Sequence, residues 1–187
     1  MIFESFPWKV ELRRHLILIS RWRKKCDTSR GGFYIERGVF LSAFIVRKLM
    51  ENRKVSDSLR DRSIQCRSFP ALRPLSDRVS RFFGISDPTK EYDTANPTDL
   101  TLSSFDLMSE IMHSYVFIPL IDDESGAWTS FLVNSYRNRD DRLLQVETSQ
   151  FEKLLTDVVC DDVTEVQIKK RPIGKIIASV RGGPQRD

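Results

Sequence analysis

A chain of 187 residues with 40% hydrophobic and 30% charged side chains has a globular composition, not a disordered one, and is long enough to bury one substantial core or two small lobes. No apolar run approaches the roughly 20 residues needed to span a bilayer. The short patch 16–19 is hemmed in by Arg13, Arg14 and the basic run 21–25, which also argues against a signal peptide. Cys26, Cys66 and Cys160 lie far apart and form no CxxC pair. A disulfide framework or thiolate zinc site is therefore not expected, and the cysteine usage fits a cytoplasmic protein.

The net charge of +4 hides a strong asymmetry: residues 1–90 hold 20 Lys/Arg against 9 Asp/Glu, residues 91–166 hold 4 against 16, and residues 167–187 hold 6 against 1. Opposed blocks of this kind mean either a basic surface for an anionic partner or two halves that attract each other on folding.

Pro7 suits the first turn of a helix. Leu12, Ile19, Trp22 and Cys26 then recur at helical spacing with His15 on the same face, while Lys9, Arg13, Arg14, Arg21, Lys24 and Lys25 cover the other side. Gly31-Gly32 is expected to break this helix. A second helix over about 33–50 is apolar round most of its circumference and reads as buried. Its remaining stripe sets Phe33, Phe40 and Phe44 among Glu36, Arg37, Arg47 and Lys48.

A strand is expected at 63–69 and a short helix at 74–83. The Pro-, Asp- and Thr-rich stretch 85–104 reads as a loop or linker, and the charge sign flips inside it. It divides a basic helical region, 1–84, from an acidic α+β region, 105–180, with a flexible tail at 181–187 and one compact domain overall. In the second region a helix at 105–112 leads to strands at 114–121, 128–136 and 143–147, joined by turns rich in Asp, Asn and Gly. Ser149 and Glu152 read as the capping box of an amphipathic helix, and alternation over 163–170 predicts a strand with one wet face. Pro119 places the first of these strands at a sheet edge or a bulge. The fold class is α+β: a helix-rich N-terminal half packed on a small, mainly antiparallel sheet with β-β-β-α-β order.

No GxSxG elbow, Walker loop or GxGxxG is present. His15, on an apolar helix face, reads as a buried, hydrogen-bonded core residue. His113, at a helix-to-strand corner beside Ser114, is a weak catalytic candidate, since polar residues there more often satisfy loose backbone groups. Asp122 and Asp123 in one turn, with Gln167 and Lys169 on a later strand, faintly match the acid-then-QxK layout of metal-dependent nucleases. The pairs Asp140-Asp141 and Asp161-Asp162 also fall in expected turns, and solvated turns explain these acids more simply. Ser29-Arg30-Gly31-Gly32 before a helix offers a weak anion site. No cofactor and no metal is expected.

The strongest functional lead is the basic helix. Arg13, Arg14, Arg21, Arg23, Lys24 and Lys25 are dense enough to neutralise several phosphates, and Lys169, Lys170, Arg171 and Lys175 extend the positive charge. No nucleic-acid-reading motif accompanies them. The stripe Phe40, Phe44 and Arg47 reads first as core packing and second as a protein-binding surface. The expectation is a non-enzymatic binding or regulatory module with a protein partner. Nucleic-acid binding through the basic helix is one alternative, and a metal-dependent nuclease or hydrolase another; no membrane partner is expected.

Overall fold

The first helix, α1 (Phe6–Trp22), carries Pro7 in its first turn and buries Lys9, Leu12, His15 and Ile19, a stripe at i, i+3, i+6 and i+10. It runs on into a 3-10 turn, Arg23–Lys25. The computed structural model describes residues 4–25, 29–72, 87–170 and 176–184, the side chains of 25, 168–170, 176–178 and 183–184 excepted. The second helix, α2 (Ser29–Glu51), returns against α1 and buries ten residues from Gly31 to Met50. Gly31-Gly32 does not break the helical pattern as expected, but forms part of the first turns of α2. A glycine is required further along: a Cβ on Gly38 would sit 2.8 Å from Cγ1 of the buried Ile19, so its absence lets the two helices approach closely.

After a single-turn helix, α3 (Asp57–Arg60), the chain enters β1 (Ser63–Pro70). There follow β2 (Thr98–Ser103), α4 (Ser104–Met112), β3 (Ser114–Ile121), β4 (Trp128–Ser135), β5 (Arg142–Glu147) and α5 (Thr148–Cys160). β1 to β5 form one antiparallel sheet in the order β2-β1-β5-β4-β3. The α+β class, with its helices concentrated at the N-terminal end, is thus as expected. Pro119 lies in β3, an edge strand, as its missing N–H requires.

The stretch 85–104 differs from the loop expected there. Its described part holds a 3-10 turn, Pro88–Lys90, whose N-terminal Asp87 accepts from Thr89 N, and then β2, which pairs along the length of β1. Between them Tyr92 is fully buried against Phe69, Leu132 and Leu143 on one face of the sheet. Its hydroxyl donates to Arg139 O at 2.8 Å, and Asn134 Nδ2 lies within hydrogen-bond reach at 2.8 Å. The sequence of β2, TDLTLS, is that of an exposed edge strand, which explains why its polar residues read as a loop. No break in the sheet coincides with the expected boundary, because β1 lies between β2 and β5. The helix expected at 74–83 lies outside the described residues.

The helices cover the other face. Phe131 sits at the centre of that core, its ring 5.4 Å from Phe117, 5.8 Å from Trp128 and 5.6 Å from Phe151. The capping box expected at α5 is not formed: no side chain caps the helix, and Glu152 instead meets Arg23 Nη1 at 3.1 Å. A half-buried ion pair to α1 outcompetes a local cap.

The last two strands, β6 (Asp161–Lys170) and β7 (Ile176–Pro184), form a separate hairpin. Positions 181–184, expected in a flexible tail, belong to β7, and 185–187 lie outside the described residues. Asp161, expected in a solvated turn, is buried. It accepts from Ser56 N at 2.8 Å and Ser56 Oγ at 2.9 Å, while Lys9 Nζ donates to its carbonyl. Asp57 Oδ2 accepts from Val180 N at 2.8 Å, so α3 is tied to both strands of the hairpin.

Truncating Phe131 to Ala leaves a cavity bounded by three aromatic rings and should cost about 3–5 kcal/mol of stability. Urea denaturation measures this, and a loss below about 1 kcal/mol would show that the ring is not central to the core.

Candidate functional site

The basic helix retains most of its charge at the surface. Arg13, Arg14, Arg21 and Lys24 are exposed. Arg14 is paired locally with Glu11 at 2.9 Å, whereas Arg13, Arg21 and Lys24 have no ion pair among the described residues. Arg23 is different: its Nε donates to Trp128 O at 3.0 Å and its Nη1 meets Glu152. It fastens α1 to the sheet and to α5. Burial raises the pKa of Glu152, and the positive charge of Arg23 opposes that rise. The side chains of Lys25, Lys169 and Lys170 lie outside the described residues, as do Arg171 and Lys175.

Across the connection between α1 and α2, aromatic side chains gather beside these cations. Trp22, in the last turn of α1, stacks on Tyr34 of α2 with centroids 4.8 Å apart and planes 17° from parallel. Arg30 lies over both rings, at 5.9 Å from Trp22 and 5.8 Å from Tyr34. Phe33 meets the edge of Tyr34 at 5.6 Å and is 57% exposed, and the exposed Arg37 follows one turn on. Cations held against aromatic faces gain about 0.5–1 kcal/mol at exposed sites. Sequence reasoning alone does not single out this platform. The available signal is an aromatic at the end of one helix and a Phe-Tyr pair near the start of the next, which a helical hairpin brings together.

The Phe40, Phe44 and Arg47 stripe divides between the two readings. Phe40 is half-buried, 5.1 Å from Phe117 of the sheet, as core packing predicts. Phe44 is 40% exposed. Arg47 is engaged internally: its Nε donates to Glu51 at 3.0 Å, its Nη1 donates to Phe105 O at 3.0 Å and to Ser109 Oγ, and its guanidinium lies 3.3 Å from the centre of the Phe105 ring.

His113 is exposed at the C-terminal cap of α4 and lines the same cleft as Arg47, so two residues chosen for different reasons come together. Asp122 and Asp123 lie in the β3–β4 turn, where Asp122 accepts from Ser125 N at 2.8 Å and Ser125 Oγ at 2.6 Å. These bonds lower the pKa of Asp122 and fit a solvated turn. Gln167 and Lys169 belong to β6 in the other sheet, and Gln167 Nε2 donates to Glu165 at 2.6 Å. Among the described residues, no group of three or more His, Cys, Asp or Glu is placed to hold a metal ion. Burial pushes the Cys66 thiol up to about 11, so it stays protonated near neutral pH, and Cys160 is exposed. No described helix is long and apolar enough to cross a membrane.

No protein-family model, no curated protein and no solved structure matches this chain.

His15 is only 5% exposed, and Glu11 Oε1 lies 3.6 Å from its Nε2. Burial lowers its pKa; Glu11 opposes the shift and Arg37 adds to it. As pH falls through 6.5, the ordinary histidine value, the unfolded chain takes up a proton here that the folded chain resists. Stability therefore declines as pH falls through that window. His15→Gln should flatten the decline in melting temperature between about pH 7.5 and 5.5, and an unchanged slope would remove His15 as its source.

Proposed function

We propose that this chain is a non-enzymatic binding module that contacts an anionic macromolecule, single-stranded nucleic acid, through the basic and aromatic end of the α1–α2 hairpin. The observation that carries the reading is the Trp22–Tyr34 stack roofed by Arg30, with Phe33 open to solvent beside it. Arg21 and Lys24 flank it with no ion pair among the described residues. Phosphate neutralisation supplies sequence-independent affinity, and an exposed ring offers a stacking surface that any base can use.

A protein partner on the Phe40, Phe44 and Arg47 stripe ranks second, because Phe40 and Arg47 are engaged within the fold. Phe33, Leu41 and Phe44 remain as exposed large apolar side chains on α2. The hydrolase reading draws least support, since the turn that holds Asp122 and Asp123 joins strands of a different sheet from the one that holds Gln167 and Lys169.

The test is fluorescence anisotropy with labelled single-stranded oligonucleotides over a range of salt. Affinity should fall steadily with salt. Arg21→Ala/Lys24→Ala/Arg30→Ala should weaken it and shallow the slope by about 0.7 for each phosphate that is no longer neutralised. Phe33→Ala should cost about 1–3 kcal/mol if a base stacks there. Arg23 is left unchanged because its loss would loosen α1. Binding unaffected by these substitutions, or tighter binding of polyglutamate than of the oligonucleotide, would overturn the proposal.

A further inference from the structure

We infer that the cleft between α4 and the β4–β5 turn is a second binding site, separate from the α1–α2 platform, and that it takes the oxyanion group of a small molecule, a phosphate ester. The cleft has a volume of about 540 Å³, within the range of small-molecule sites. Arg47, Arg137 and Arg142 reach it from three elements, α2, the β4–β5 turn and β5, and His113 stands on its wall.

Two acidic residues also line the cleft, and one of them is already engaged. Glu110 is buried: its Oε2 accepts from Ser135 N at 2.7 Å, and its Oε1 accepts from Asn138 Nδ2. Both oxygens of its carboxylate thus secure the turn that carries Arg137 and neither pairs with an arginine. Asp106 accepts from Ser103 Oγ at 2.7 Å through Oδ2. Three guanidinium groups line the cleft as well, and Glu51 already pairs with that of Arg47. Arg47 is held in place by its bonds to Glu51 and α4.

Arg137 and Arg142 have no ion pair among the described residues, and Arg137 is exposed. Arg142 Nε is shut off from solvent and has no acceptor among the described residues. Buried donors are almost always satisfied, so this N–H marks a side chain that the described residues leave without a direct partner. An incoming anion pairs with Arg137 and with the part of the Arg142 guanidinium that faces the cleft. Planar guanidinium forks converging from several directions suit a group with several oxygens, which favours phosphate over a single carboxylate. The cleft is much larger than a bare phosphate, so Leu102 and the wall of α4 are left to contact the body of the ligand.

The experiment is isothermal titration of the full chain with inorganic phosphate, against sodium chloride at matched ionic strength and against citrate as the carboxylate arm. Saturable phosphate binding should appear, stronger than citrate. Arg142→Gln and Arg137→Gln should each weaken it at least tenfold, and Arg142→Lys should recover it only in part, because the charge returns without the fork. Arg21→Ala/Lys24→Ala/Arg30→Ala should leave phosphate binding unchanged while reducing oligonucleotide binding, so that failure of one site is distinguishable from failure of the other. If Arg142→Gln does not fold, Arg137→Gln on the exposed turn decides. Heat no greater than that of chloride, citrate binding as strong as phosphate, or phosphate binding indifferent to Arg137→Gln would overturn the inference.

Discussion

The pairing of β1 with β5 is the constraint on which the rest of the structure depends. It sets Phe69 opposite Leu143 and Ser68 opposite Leu144, and so joins the basic first half of the chain to the acidic second half through backbone hydrogen bonds. With β1 in place, β2 has a strand to pair with and Tyr92 has a sheet face to cover. On the opposite face, α1, α2, α4 and α5 share one core with Trp128, Phe131 and Phe151. Without that pairing the sheet would be a three-stranded meander with one helix-covered face.

Electrostatic attraction between the halves plays a smaller part than the sorted charges suggest. Among the described residues, only Arg23–Glu152 and Arg62–Asp157 are ion pairs between the basic half and the acidic one. Most of the others link residues three or four apart on one helix, as Arg14–Glu11 and Lys48–Glu51 do. Such exposed pairs contribute only about 0–1 kcal/mol each. Much of the arginine content is therefore left at the surface, as Arg13, Arg21, Arg37 and Arg137 show.

Elements whose side chains obey a simple period were legible in the sequence. α1 follows its stripe of Leu12, His15 and Ile19, and β3, β4 and β5 follow their apolar runs. The misreadings fall where a distant partner decides. β2 looks like a loop because an edge strand needs no apolar face, and Asp161 looks like a turn residue until Ser56 receives it. Glu152 has a capping-box spacing but turns to Arg23, more than a hundred residues earlier. The same long-range choice governs the candidate sites. Six cations on and beside α1 look equivalent in sequence, and only the fold shows that Arg23 is turned inward. Arg142 carries no signal of its own in the sequence, because its lack of an ion pair among the described residues depends on where the fold places it.

The chain separation across β1 and β5 also bears on how the molecule assembles. β3, β4 and β5 are neighbours in sequence and pair in turn with one another, so they can organise early at little loop-closure cost. β1 emerges long before its partner β5 and must be captured across that interval. Until the two strands pair, each presents an unpaired row of backbone donors and acceptors. Such edges are surfaces on which a growing chain associates with other chains. The closing of this one ladder thus separates a vulnerable nascent polypeptide from a protected native state.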